Sequence, residues 1–215
     1  MDYEKYIKIK EKHGKESSWA IWSRMQDTKT SNMEDLSFFD DKNICKELNP
    51  EIVMVGLNIS EPLSGKSFSN FHGAGGGAYK LRYGLKDTPW WGAYLTDIIK
   101  NFPEPDSNKV LKHLKENTDF LEENISLFRD ELSDLGSVNP RVFAFGDAAY
   151  KILDDIPEKE FTLTKLKHYS YRYKGFSNQE IYKKYLHEQI YREKRLWLNG
   201  TKEQVTEFLQ KTKSR

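Results

Sequence analysis

The chain has 215 residues, 37% of them hydrophobic and 31% charged, with a mean hydropathy of −0.78 and a formal net charge of +1. That length suits one domain with a real core, and nowhere is there a run of roughly 18 apolar residues such as a membrane span requires. The lone cysteine, Cys45, rules out a disulfide within the chain, a cysteine-rich zinc site and a four-cysteine iron–sulfur cluster.

The opening MDYEKYIKIKEKHGK has no apolar core of the kind a secretory signal carries, so the expectation is a soluble, cytoplasmic protein, monomeric and without a membrane partner. The near-neutral total hides an asymmetry. From Thr162 to Arg215 there are thirteen Lys and Arg against five Asp and Glu, a net charge of +8, and the rest of the chain carries −7. A basic segment beside an acidic body fits a polyanion held on one face, and equally a solvated basic helix.

Tyr3, Tyr6, Ile7 and Ile9 stand near helical spacing and predict an N-terminal helix over residues 3–13. Lys29 to Asp41 is polar, with Phe38-Phe39 as a short anchor, and reads as a connection. After Pro50-Glu51 the run IVMVGL is apolar and rich in β-branched residues, which predicts a buried strand ending at Gly56-Leu57-Asn58. Residues 60–88 hold six glycines without clear periodicity and predict a long functional loop. Trp90 to Ile99 begins a second apolar element, with Trp90 and Trp91 expected to pack under the glycine loop. From Asn108, apolar residues at 111, 114, 121, 125, 128, 132 and 135 trace one helical face, with a break expected near Asn117. Arg141-VFAF-Gly146 is a second compact strand, and Asp147 to Leu153 continues it as a helix whose dipole Asp147 favours. Phe161 to Leu166 is a weaker strand leading into His168-Tyr169-Ser170. Ser177 to Glu180 has the form of a capping box for a helix reaching about Trp197, with Asn199-Gly200 as its stop and Thr201 to Gln204 capping a final helix.

Strand–loop–helix passages in this order predict an α/β fold. It is expected to be a single domain over 1–215, three layers of α/β/α around a mostly parallel four-stranded sheet, with helices at both ends. The motif-bearing core spans about 50–173 and the basic helical segment about 177–212.

Three motif readings are set aside. Ser60 to Ser67 resembles a phosphate loop, but Ser60 stands where the first glycine belongs and FSNFHG does not read as the following helix. Gly73 to Ala78 meets a dinucleotide fingerprint only formally, because it follows a polar loop instead of a strand. The histidines at 13, 72, 113, 168 and 187 show no ligand spacing and read as surface residues, so neither a metal nor any other cofactor is expected.

The carboxyl ends of parallel strands are where open sheets bind ligands. Here they bring Gly56-Leu57-Asn58, Thr96-Asp97, Gly146-Asp147 and His168-Tyr169-Ser170, with Phe68, Asn70, Phe71 and His72 from the long loop. Each has an ordinary alternative: Asn58 can close a turn, Phe68 and Phe71 can fill the core, Asp97 can cap the next element, and His168 can be a plain loop histidine. In VMVGLNIS, WWGAYLTDIIKN, VFAFGDAAYKIL and KLKHYSYR, taken in order, the chain resembles the uracil-DNA glycosylase superfamily, and VMVGLNIS is similar to the first motif of its mismatch-specific branch.

The resemblance implies a DNA glycosylase-like hydrolase for DNA repair, cleaving the N-glycosidic bond of an extruded pyrimidine. By position, Asn58 would orient the attacking water, Phe71 or Phe68 would stack on the base, and Asp97 would read its edge. His168 would steady the leaving base and Ser170 would touch a phosphate. Ile59-Ser60 stands where that branch has Pro-Gly, Tyr169 replaces a proline, and Asp97 is a carboxylate where an amide is usual. An ionised Asp97 accepts hydrogen bonds and suits an exocyclic amine. The alternative is an inactive member of the fold that binds nucleic acid or a nucleotide, and a third reading gives the basic helix an acidic protein partner.

Overall fold

In a computed structural model that describes residues 1–198, the apolar runs become the centre of a five-stranded sheet. Strand β2 (Asn49–Asn58) pairs in parallel with β3 (Ala93–Ile99) on one side and β4 (Arg141–Phe145) on the other, and β5 (Thr162–Leu166) pairs in parallel with β4. The fifth strand, β1 (Ser18–Trp19), is antiparallel at the β3 edge. The expected count was four. A two-residue strand is too short to show any alternation in sequence, and β1 exists because Ser18 and Trp19 meet Leu95 and Tyr94.

Alternate residues of a strand point to opposite faces, and both faces of β2 are covered, which is why IVMV reads as an unbroken apolar run. Val53 and Val55, with Val142 and Ala144, pack against α1 (Tyr3–Lys12), α4 (Thr118–Leu135) and α5 (Gly146–Asp154). Ile52 and Met54, with Leu95 and Phe143, pack against α2 (Tyr79–Leu85) and α6 (Gln179–Leu198). Each of these buried Val, Ile, Leu, Met and Phe side chains contributes about 1.5–3 kcal/mol through apolar area removed from water.

Several local expectations change. Residues 60–88 are not structureless throughout: α2 forms there because Leu81 and Leu85, one turn apart, bury against Leu186 and Tyr182 of α6. Trp90 lies under α6 instead of the glycine loop, with its ring 4.2 Å from Phe143 and its Nε1 donating to Glu193 at 2.9 Å. Asn178, not Ser177, caps α6, its Oδ1 accepting the Glu180 N–H at 2.8 Å. The break at Asn117 separates α3 (Ser107–Glu116) from α4, and the Asn117 amide donates to the His113 carbonyl at 2.9 Å. The stop at Asn199-Gly200, the final helix and the end of the basic segment lie outside the described residues.

The chain goes from β2 to β3 on one side and then crosses back to β4 on the other, so the strand order reverses between β2 and β4. Neighbouring connections diverge at such a point and leave a crevice beyond the carboxyl ends of the strands. Among the described residues no helix is long and apolar enough to cross a membrane.

Candidate functional site

Gly56 and Asp97 are register partners near the ends of β2 and β3. The Asp97 carboxyl lies flat on Gly56: a Cβ built at Gly56 would stand 2.1 Å from Asp97 Oδ1. Glycine is required there by this approach. Asn70 holds the carboxyl in place, donating from Nδ2 to Asp97 Oδ2 at 2.9 Å and to the Glu16 carbonyl at 2.8 Å, while its Oδ1 accepts the Phe71 N–H at 3.0 Å. Asp97 is 4% exposed, and its Oδ1 makes no hydrogen bond among the described residues. Burial pushes its pKa up to about 6, against the Asn70 hydrogen bond and the Lys100 charge. A carboxyl poised there is an acceptor above that pH and a donor below it.

Beside this pair is a cavity of about 450 Å³, walled by the 59–64 segment, by Asn70 and Phe71, by the glycine loop and by Tyr169. Phe71 is buried at its base and meets Tyr169 edge-on, with ring centroids 6.1 Å apart. Its φ of +64° is uncommon for an aromatic residue; with Trp22 Nε1 donating to its carbonyl at 3.3 Å, the ring is directed toward Gly56.

Tyr169 in turn stacks on His168 at 4.3 Å. His168 Nδ1 accepts the Ser170 N–H at 3.1 Å and lies 2.7 Å from the Ser170 hydroxyl. That arrangement places the ring proton on Nε2, as a donor. Burial, with the positive charge of Lys80, pushes the His168 pKa down to about 4, so the ring is neutral near pH 7. Gly146 turns the chain from β4 into α5 at a φ of +87°, and the backbone there passes close by His168.

Asn58 stands at the end of β2, next to the wall residue Ile59. Its Nδ2 lies within hydrogen-bond distance of three carbonyls, those of Ile59 at 2.9 Å, Phe102 at 3.1 Å and Glu104 at 2.8 Å. The amide therefore braces the segment after β3, and the orientation of its oxygen is fixed by the same contacts.

The structure brings Asp97, Phe71, His168 and Ser170 into one connected cluster through Asn70 and Tyr169. Of the six expected site residues, only Phe71 lies on the cavity wall itself; Asn58 and His168 adjoin wall residues Ile59 and Tyr169. Phe68 is elsewhere: it is fully buried between Tyr6 and Phe39, with ring centroids at 5.8 and 5.0 Å, and serves as core. Ser170 is exposed, and its near contact is His168. His72, read from sequence as a surface residue, is buried against Trp22 and Phe39, with Nε2 donating to the Trp19 carbonyl at 3.3 Å.

Gly56 and Asn70 are named from sequence among the strand-end and loop residues but without a role of their own, and the buried Lys100–Glu131 pair is not named. Lys100 Nζ donates to Glu131 Oε2 at 3.0 Å, to Thr96 Oγ1 at 2.7 Å and to the Asp97 carbonyl at 2.6 Å, which anchors the end of β3. The signal for Asn70 was its place between the two phenylalanines of FSNF, and that for Gly56 its place at the end of the apolar run; nothing local marks the Lys100–Glu131 pair. Among the described residues no group of three or more His, Cys, Asp or Glu is placed to hold a metal ion. Compared with protein-family models, curated proteins and solved structures, the chain matches none of them.

Proposed function

We propose that the crevice beyond β2 and β4 takes an extruded pyrimidine base, and that the protein is a glycosylase-like hydrolase of the N-glycosidic bond. One observation carries the reading: at the carboxyl end of the sheet an aromatic ring (Phe71) lines a cavity, and behind its wall residues Asn70 and Tyr169 stand an oriented carboxyl (Asp97) and a neutral histidine with a free Nε2–H (His168). The ordered motifs that resemble the uracil-DNA glycosylase superfamily support it. A base must leave its stack before a pocket can read it.

In this reading Phe71 stacks on the ring and Asp97 Oδ1 meets the polar edge. The glycosidic C–N bond breaks with its electron pair leaving on the base, and the His168 Nε2–H stabilises the charge that develops there. Water adds to the oxocarbenium-like sugar carbon, oriented by Asn58 Oδ1, whose direction the three carbonyl contacts fix, and its proton passes to the departing base or to solvent. An amide is not a base at neutral pH, so Asn58 orients the water and does not deprotonate it.

The test is release of free base from oligonucleotides carrying deaminated or mismatched pyrimidines. Wild type releases base, and His168→Gln and Asn58→Ala lower the rate at least tenfold while the fold is retained. No product from the whole panel overturns the enzymatic reading. A second reading, a binding module without turnover, is favoured by the engagement of the Asn58 amide with backbone. In that case Asn58→Ala leaves affinity unchanged and no base is released.

A further inference from the structure

We infer that the segment from Lys167 to Gly175, KHYSYRYKG, is a docking strip for single-stranded nucleic acid, leading an unpaired strand to the cavity mouth. The inference rests on the nucleobase reading above and assigns that site a substrate class: unpaired strand, not duplex.

The strip begins at the wall of the site. Tyr169 lines the cavity, and its carbonyl and the Ser170 Cα lie against Gly77 of the glycine loop. Beyond it, residues 170–175 are all exposed. Tyr173 is 75% and Tyr171 40% exposed, among the few large apolar side chains presented to solvent, and their ring centroids are 6.4 Å apart. Tyr173, open to this degree, gains little from burial in the fold, while Tyr171 keeps an edge-on contact with Phe176 at 5.7 Å and is otherwise turned to solvent.

Cations alternate with the rings. Arg172 and Lys174 are exposed and make no hydrogen bond or ion pair among the described residues. Lys167 Nζ sits over the Phe176 ring at 4.3 Å and has no carboxylate partner there. Lys165 differs, being paired with Asp147 at 2.9 Å. Beneath the strip, Lys80 donates to the Phe176 carbonyl at 2.8 Å and to the Tyr171 carbonyl at 3.4 Å, so the backbone is tied to α2. The side chains are exposed on a fixed track.

Exposed rings interleaved with unpaired cations are what an unpaired strand requires: any base stacks on an aromatic face, and the phosphates meet the positive charges. A paired duplex hides its base faces and offers the rings nothing to stack on. Tyr171 and Tyr173 lie two and four residues beyond the wall residue Tyr169, at most about 7 and 14 Å along the chain. The nucleotides flanking an extruded base fall within that reach.

The experiment is fluorescence anisotropy on the full chain with undamaged DNA of about fifteen nucleotides, offered as a single strand, as a duplex, and as an abasic strand with the same backbone. The expected result is at least tenfold tighter binding of the single strand than of either alternative. Tyr171→Ala with Tyr173→Ala weakens single-strand binding tenfold or more, and replacement of both by Trp restores it. Arg172→Glu with Lys174→Glu flattens the salt dependence, since each lost phosphate contact lowers the slope by about 0.7 for single strands. Equal affinity for the single and abasic strands, preference for duplex, or no effect of the double Ala variant overturns the inference. Base release is not read in this experiment. Strand binding without turnover refutes the hydrolase alone; turnover untouched by loss of both tyrosines refutes the strip alone.

Discussion

The side-chain amide of Asn70 donates to Asp97 Oδ2 at 2.9 Å, and the other end of the same amide accepts the Phe71 N–H. One loop residue thus aligns the carboxyl that would meet the base edge with the ring that would meet its face. Asn70 is a positioning residue, because its hydrogen-bonding groups face the protein. Asn70→Ala removes a contact that lowers the Asp97 pKa, so any pH profile controlled by Asp97 moves upward. Binding and base release should fall at least tenfold. A profile that keeps its midpoint would show that Asn70 only supports the fold.

Gly56→Ala places a methyl group where Asp97 Oδ1 lies, at 2.1 Å. Overpacking of this kind costs about 1–3 kcal/mol, and here it also displaces the carboxyl. In an Asp97→Ala background the obstruction is gone and the cost of Gly56→Ala should shrink by at least about 1 kcal/mol, a coupling that a double-mutant cycle of urea midpoints measures. Additive effects would mean that the carboxyl is not what excludes a side chain at position 56.

Asp97 also imposes a signed pH dependence on stability. Its pKa is raised from 3.8 to about 6 on folding, so the folded chain holds more protons between those values. Stability is therefore greatest below the lower value and declines as pH rises through the window. Asp97→Asn removes that loss, worth at most about 3 kcal/mol above about pH 7 and nothing below about pH 4. His72 acts in the opposite sense, since burial lowers its pKa from 6.5 to about 4. Its contribution is present above the unfolded value and is lost as pH falls through the folded one. Urea unfolding across this range should show the gain of Asp97→Asn over wild type growing with pH, and the loss from His72→Gln shrinking on acidification if the fold survives. Differences that do not vary with pH would contradict both assignments.

The two phenylalanines of FSNF should separate cleanly. Phe68 is core, and Phe68→Ala should cost about 3–5 kcal/mol while the folded fraction keeps its affinity for single-stranded DNA carrying a target base. Phe71→Ala should lower that affinity at least tenfold under conditions where both variants are folded. Equal losses of affinity would mean that Phe71, too, is only packing.

How much of this was legible depended on how local each signal was. IVMVGL and VFAF announced β2 and β4 because strands covered on both faces need continuous apolar sequence. The break at Asn117 showed as an interruption in one helical stripe. By contrast, β1 owes its two residues to the edge of β3, and α2 owes its existence to α6, more than ninety residues away in the chain. The site divides in the same way. Asp97, Phe71 and His168 could be proposed because strand ends and the loops beyond them are where ligands bind, but the Gly56–Asp97 approach and the Asn70 bridge arise only when β2, β3 and the long loop meet. The pattern G-L-N named Asn58 without saying which way its amide turns, and three carbonyls decide that.

The central claim, that this crevice holds a pyrimidine, is tested most directly by a crystal structure of the protein with a single-stranded oligonucleotide carrying one 2′-fluoro pyrimidine nucleotide resistant to hydrolysis. The account predicts the base against the Phe71 ring, its polar edge at Asp97 Oδ1 and its glycosidic side toward His168 Nε2. A base bound elsewhere, with the cavity beside Phe71 left empty, would contradict it.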